Sequence, residues 1–196
     1  MTRRGFIGAG TAFAAIAGRG LIAAQGAGLA AGKRRLRIGI VSDIHVTSEE
    51  VAQRFRKALE HFRSIGVDGV CIPGDLADGG VKPQLAIVAN TWFKVFPDNL
   101  GADGKPVEKL FIYGNHDIGG HKYSYPEGKT KSKEWMDANA TQLGDNRKTF
   151  WEELFKEPWE PIWKKTVKGY TFVGGSWSRG PFHVDGIVPF GCGCCM

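Results

Sequence analysis

Three short apolar runs, each broken off abruptly by polar residues, constrain this chain more than any other feature. They read LRIGIVSD (36–43), VDGVCIPGD (67–75) and VEKLFIYGNHD (107–117). Continuous β-branched and aromatic runs of this length fit strands buried on both faces. SEEVAQRFRKALEHFRSIG separates the first two. Ser48 is placed to N-cap a helix, Glu49 and Glu50 fall in its first turn, and Gly66 stops it. Val51, Phe55, Leu59 and Phe62 recur at helical spacing. KPQLAIVANTWFKVF separates the second and third runs, opening near Pro83 and closing before Pro97. The order β-α-β-α-β predicts a largely parallel sheet with helices packed on it.

In open α/β sheets, ligands bind beyond the carboxyl ends of the strands. The three ends here carry Asp43 and His45, then Asp75, then Asn115, His116 and Asp117. Adjacent strands would bring all six together, with Gly74 and Gly114 allowing sharp turns and close backbone approach. Carboxylate, imidazole and amide oxygen form a mixed set suited to manganese, iron, zinc or nickel. Asp43 and His45 alternate along an extended segment and so point to one side. Asp75, with two oxygens, is the natural bridge between two ions, and two ions about 3.5–4 Å apart would clamp a phosphate and activate a water. His116 is then placed to reach the phosphate or the leaving oxygen, with Asp117 orienting its ring.

These blocks resemble the calcineurin-like metallophosphoesterases, whose pattern is D-x-H, G-D, G-N-H-[DE], an isolated His and G-H-x-H. Asp43 and His45, Gly74 and Asp75, and Gly114 to Asp117 match the first three blocks over residues 36–117. The resemblance implies an α/β/β/α sandwich of two sheets flanked by helices. It implies hydrolysis of phosphate mono- or diesters by a metal-bound hydroxide at a two-metal site. Asp43 and His45 would hold the first ion, Asp75 both, and Asn115 the second. His116 would contact the phosphate or protonate the leaving group, and Asp117 would support His116. No G-H-x-H occurs. His121 lies too close to His116 to replace the distant ligand, His183 is isolated, and His61 falls on the first helix. The second ion is therefore expected to be weakly held and the C-terminal sheet incomplete, as in a truncated or frameshifted product. Two readings compete with the enzyme: an inactive remnant that binds a metal or phosphate weakly, and an exported binding module.

Beyond Asp117 the pattern loosens. Residues 118–132 read as a polar loop, about 133–156 as helical, PWEPIWKK as aromatic and proline-broken, and GYTFVGGSWS as a fourth strand. Trp135, Trp151, Trp159 and Trp163 are expected to pack against the core rather than to stack on a ligand. Cys71 reads as a small core residue. Cys192, Cys194 and Cys195 fit no common zinc spacing and mark residues 191–196 as a tail.

The first 32 residues have a basic start and a Gly/Ala-rich apolar middle, the composition of an export signal. T-R-R-G-F-I resembles a twin-arginine signal. This implies a bacterial twin-arginine export machinery as partner and a periplasmic or extracellular location. Arg19 interrupts the apolar stretch before the roughly 20 residues needed to span a bilayer, so no transmembrane anchor is expected after processing. Residues 33–190 are left as the catalytic domain. The net charge of +6 is local: seven of the 26 basic residues lie in the first 37 positions, leaving 19 against 20 acidic ones. No basic cluster marks a nucleic-acid footprint.

Overall fold

The computed structural model of the chain describes residues 36–118, 131–179 and 182–190, with 176–179 and 182–190 described by backbone alone. The leader, the tail, His121 and the side chain of His183 lie outside the described residues. The three apolar runs form β1 (Ile38–Ile40), β2 (Gly69–Pro73) and β3 (Glu108–Ile112). They make a parallel sheet in the order β1-β2-β3. Its register runs from Ile38 opposite Gly69 to Ile40 opposite Cys71, and from Gly69 opposite Glu108 to Pro73 opposite Ile112.

Helix α1 (Glu49–Ile65) starts where its cap predicts: the Ser48 hydroxyl accepts from the Val51 amide at 3.4 Å. Its inward face is Ala52, Phe55 and Leu59, whereas Val51 is turned outward. Ala52, not Val51, shares a face with Phe55 and Leu59, at the i, i+3, i+7 spacing of one helix stripe. His61 on the same helix is exposed. Helix α2 (Lys82–Val95) carries Pro83 in its first turn, where the missing N–H costs nothing. The span expected to be one helix is two, α3 (Lys133–Asn139) and α4 (Asn146–Phe155). Between them Ala140 bridges to Val81, and the Asn146 side-chain amide donates to the carbonyls of Asp137 and Ala140.

The two faces of the parallel sheet are buried by different partners. Val70, Ile72, Phe111 and Tyr113 pack with Phe55, Leu59, Leu85, Val88 and Trp92 of α1 and α2, and with Trp151 and Phe155 of α4. The alternate residues Cys71, Leu110 and Ile112 pack with Trp163, Val167 and Phe172. This period of two is the strand geometry that the unbroken apolar runs encode.

The second set belongs to an antiparallel sheet of β4 (Ile162–Val167), β5 (Tyr170–Arg179) and β6 (Phe182–Phe190), in the order β4-β5-β6. Only β5 is expected from the sequence. β4 hides in the proline-broken aromatic stretch, and β6 in a segment whose Gly and Pro obscure any alternation. Trp163 explains Gly174 of β5. A Cβ at Gly174 would lie 2.2 Å from the Trp163 ring, and the indole N–H donates to the Phe111 carbonyl at 3.0 Å. Trp151 and Trp163 are thus core residues, and Trp159 stacks on Trp151 and Tyr113 at 5.2 and 5.0 Å.

Candidate metal centre

The loop leaving β1 does not swing into solvent. It runs alongside the loop leaving β2, with amides donating from Val41 to Cys71, His45 to Asp75 and Val46 to Leu76 at 3.0–3.1 Å. Val46 closes this ladder as a parallel bridge to Ala77. The backbone leaves strand geometry at the polar residues: φ is 54° at Asp43, 43° at His45 and 52° at Asp75. A left-handed conformation costs an L-residue about 1–2 kcal/mol, so three in one place mark a site held by its surroundings. Extended alternation therefore does not describe Asp43 and His45. Asp43 is exposed, and its carboxylate accepts from the Ser42 hydroxyl.

The third loop locks onto the second at Gly114. A Cβ there would sit 2.3 Å from both the backbone N and Oδ1 of Asp75, so only glycine allows this approach. One residue on, Asn115 is exposed. The His116 amide donates to Asp75 Oδ1 at 3.0 Å. Asp117 is fully buried, and its carboxylate accepts from the amides of Leu76, Ala77 and Gly114 at 3.0, 2.6 and 2.8 Å. Burial pushes this carboxyl up to about 7; the three N–H groups pull it down, and the neighbouring charge of Asp75 pushes it up again. Asp117 is a latch between the second and third loops. Asp117 is expected from the sequence to orient the His116 ring, but the polar partner that the structure gives that ring is Asp78, and the ring meets His45 edge to face.

Asp78 was not singled out by the sequence reading. Its carboxylate Oδ1 stands 3.2 Å from His45 Nδ1 and 3.4 Å from His116 Nδ1, and its carbonyl accepts from His116 Nδ1 at 3.0 Å. The available signal is G-D-L-A-D, a second acid three residues after Asp75. A lone acid in a turn has no periodicity to mark it.

His45, Asp75 and His116 each offer one ligand atom within 4.8 Å of the others. His45 Nε2 lies 3.6 Å from Asp75 Oδ2, and the two imidazoles meet edge to face with centroids 4.5 Å apart. Two imidazole nitrogens and a carboxylate oxygen fit a borderline divalent ion. Asp43 is not among the gathered residues.

The arrangement, a parallel sheet presenting His and Asp side chains beyond its carboxyl ends, can be set beside known proteins. No curated protein matches the sequence. The family model of the calcineurin-like phosphoesterases matches residues 36–188, which takes in the parallel sheet, all three polar loops and all but the last two residues of the antiparallel sheet. That span is most of the chain, so the protein belongs to the calcineurin-like phosphoesterase family.

Proposed function

We propose that the chain is a metal-dependent phosphoesterase that hydrolyses phosphate mono- or diesters at the carboxyl ends of β1, β2 and β3. The observation that carries this reading is the convergence of His45, Asp75 and His116 within 4.8 Å in a chain of this family. His45 and Asp75 are the central ligands. Asp43 and the exposed Asn115 lie on the same loops, and ligation of a second ion is assigned to Asn115 with Asp75 as bridge. A bound divalent ion supplies Lewis acidity toward a phosphoryl oxygen and lowers the pKa of a water.

The chain's own residues do the rest. Asp75 is fixed twice, by its backbone carbonyl on the His45 amide and by Oδ1 on the His116 amide. His116 Nδ1 is engaged by the Asp78 carbonyl, an acceptor, so this nitrogen carries the proton. Nε2 is then the atom that faces the ester, and it donates to a phosphate oxygen or the leaving group when the ring is the doubly protonated imidazolium. Asp117 has no exposed surface and acts through the two loops that it ties.

The basic, Gly/Ala-rich leader supports export through a twin-arginine route to the periplasm or beyond. Among the described residues, no helix is long and apolar enough to cross a membrane.

The test is metal content and turnover on one sample. Protein is loaded with manganese or zinc and assayed on p-nitrophenyl phosphate and bis-p-nitrophenyl phosphate. Bound metal with turnover that a chelator abolishes is the expected result. Metal binding without turnover on either ester would leave the inactive remnant as the better reading, for which the exposure of Asp43 and Asn115 is the supporting observation.

A further inference from the structure

Helix α4 runs antiparallel to β3, and ring contacts fix its level. Phe155 meets Phe111 with centroids 6.1 Å apart, and Trp151 meets Tyr113 at 4.7 Å. Four residues back along the helix, about 6 Å, match two residues onward along the extended chain, about 6–7 Å. The next step sets Arg147 at the turn that carries Asn115 and His116, on the helix stripe that continues into Phe150 and Trp151. Helical side chains lean toward the N-terminus, which here lies at the carboxyl end of the sheet. The segment is pinned from both sides. The Tyr113 hydroxyl donates to the Arg147 carbonyl at 3.3 Å. The Asn146 side-chain amide donates to the Ala140 carbonyl at 3.0 Å, and Thr141 donates to the Gly80 carbonyl through its backbone amide and its hydroxyl at 3.0 and 2.9 Å. Gly80 stands two residues after Asp78, whose carbonyl accepts from the His116 ring. Arg147 is half-buried, and among the described residues its guanidinium forms no ion pair. Lys82, which docks on the same helix, is committed to Glu153 at 2.7 Å. The Arg147 charge is felt at the Tyr113 hydroxyl: burial and the charge of Asp117 push that group well above its usual value, and Arg147 pulls it back.

We propose that Arg147 is a substrate-binding residue of this site and that it selects phosphate monoesters: its guanidinium holds the terminal oxygen that a monoester has and a diester lacks. The inference deepens the metal-dependent phosphoesterase reading above and rests on it. A monoester carries three terminal oxygens and, near pH 7, about −1.5 to −2 of charge. A diester has one terminal oxygen fewer and a single charge. The extra oxygen and charge call for one more cation beside the centre, and a guanidinium is a planar fork of donors matched to phosphate. It is the carbonyl of Arg147, not its side chain, that is tied to Tyr113, so the guanidinium can be replaced without loosening that contact.

Arg147→Met keeps the reach of the side chain and removes its charge. Manganese-loaded wild type and variant are assayed on p-nitrophenyl phosphate and bis-p-nitrophenyl phosphate, and titrated calorimetrically with inorganic phosphate and with dimethyl phosphate. In the variant, kcat/KM for the monoester should fall roughly 10–100-fold, as for a lost hydrogen bond to a charged group, and inorganic phosphate should bind more weakly by a similar factor. The diester and dimethyl phosphate should be nearly unaffected. Arg147→Lys should fall between, since lysine keeps the charge without the fork. Equal losses on the two esters, as a merely structural role would give, or an unchanged affinity for inorganic phosphate, would overturn the proposal. If the methionine variant does not fold, the ratio of the two esters in the lysine variant decides the same point. A wild type that turns over neither ester would sink the functional reading, while the titrations would still decide Arg147: inorganic phosphate bound no better than dimethyl phosphate would overturn its role.

Discussion

Two clusters of charged side chains lie in this molecule, and they solve opposite problems. At the seam between the two sheets, Lys109 and Lys165 interleave with Glu108 and Glu157. Lys165 Nζ stands 3.0 Å from Glu157 and 3.3 Å from Glu108, and it donates to the Lys109 carbonyl at 2.6 Å. Lys109 is only 4% exposed; it lies 3.7 Å from Glu157 and donates to Asn99 at 2.9 Å. Burial lowers the pKa of Lys109, and the charge of Glu157 works against that shift. Opposite charges there neutralise one another within the protein. At the strand ends, the carboxylates of Asp75 and Asp78 face imidazoles instead of lysines, beside a buried Asp117 whose carboxyl burial pushes up. The seam balances its carboxylates with the protein's own cations; the strand ends set theirs among nitrogen donors of the kind that hold a cation from outside.

This contrast can be broken in four ways. The largest effect is expected from Asp75→Asn, which removes a ligand charge but keeps an acceptor for the His116 amide. Hydrolysis of p-nitrophenyl phosphate should fall by at least roughly 100-fold, beyond what loss of an outer partner costs. The urea midpoint of the metal-free protein should hold or rise, because a like charge near Asp117 is gone. A metal-free midpoint that drops would show the site to be as self-balanced as the seam.

Glu157→Ala is the converse. It strands Lys109 in the interior, and breaking a buried pair costs about 3 kcal/mol. Denaturant unfolding should show that loss while zinc affinity stays unchanged. A loss of zinc affinity would mean that the two clusters are coupled.

The third break uses pH. The Asp117 carboxyl is raised from 3.8 to about 7, so between those values the folded protein holds a proton that the unfolded chain has released. Stability from this group is greatest at the acid end of that window and declines as pH rises to about 7. The melting temperature of metal-free Asp117→Asn should depend less on pH between 5 and 7 than that of the wild type. Equal slopes would deny the buried carboxyl its role.

Lys109→Met should have the smallest effect, within about 1 kcal/mol. An apolar residue of similar length replaces a buried charge without leaving an unpaired lysine, and the flanking rings of Trp92 and Phe93 accept a thioether. A large loss would show that the seam needs its cation rather than merely tolerating it.

Much of the parallel half was legible in the sequence because its signals are local. A strand buried on both faces needs an unbroken apolar run, and Ser48, Pro83 and Gly66 act within one turn of helix. The antiparallel half was not. β4 and β6 are recognisable only through their pairing with β5 and, for β4, through Trp163 filling the space above Gly174. The site divides in the same way. Asp43, His45, Asp75, Asn115, His116 and Asp117 stand out because each follows a strand. Asp78 does not, and the duties of Asp117 and Asp78 with respect to His116 follow only from how the loops pack.

What the sequence by itself determined is the parallel sheet, the helices on it and the donor chemistry at its carboxyl ends, since these depend on residue type and spacing along the chain. The tertiary structure alone decided which donors meet. Left-handed backbone at Asp43, His45 and Asp75 turns side chains away from where strand alternation would send them. The contact of Gly114 with Asp75 and the two hydrogen bonds that the Leu76 and Ala77 amides donate to Asp117 then set the distance between loops. These are forces between residues some 30 to 40 positions apart, and no local pattern carries them.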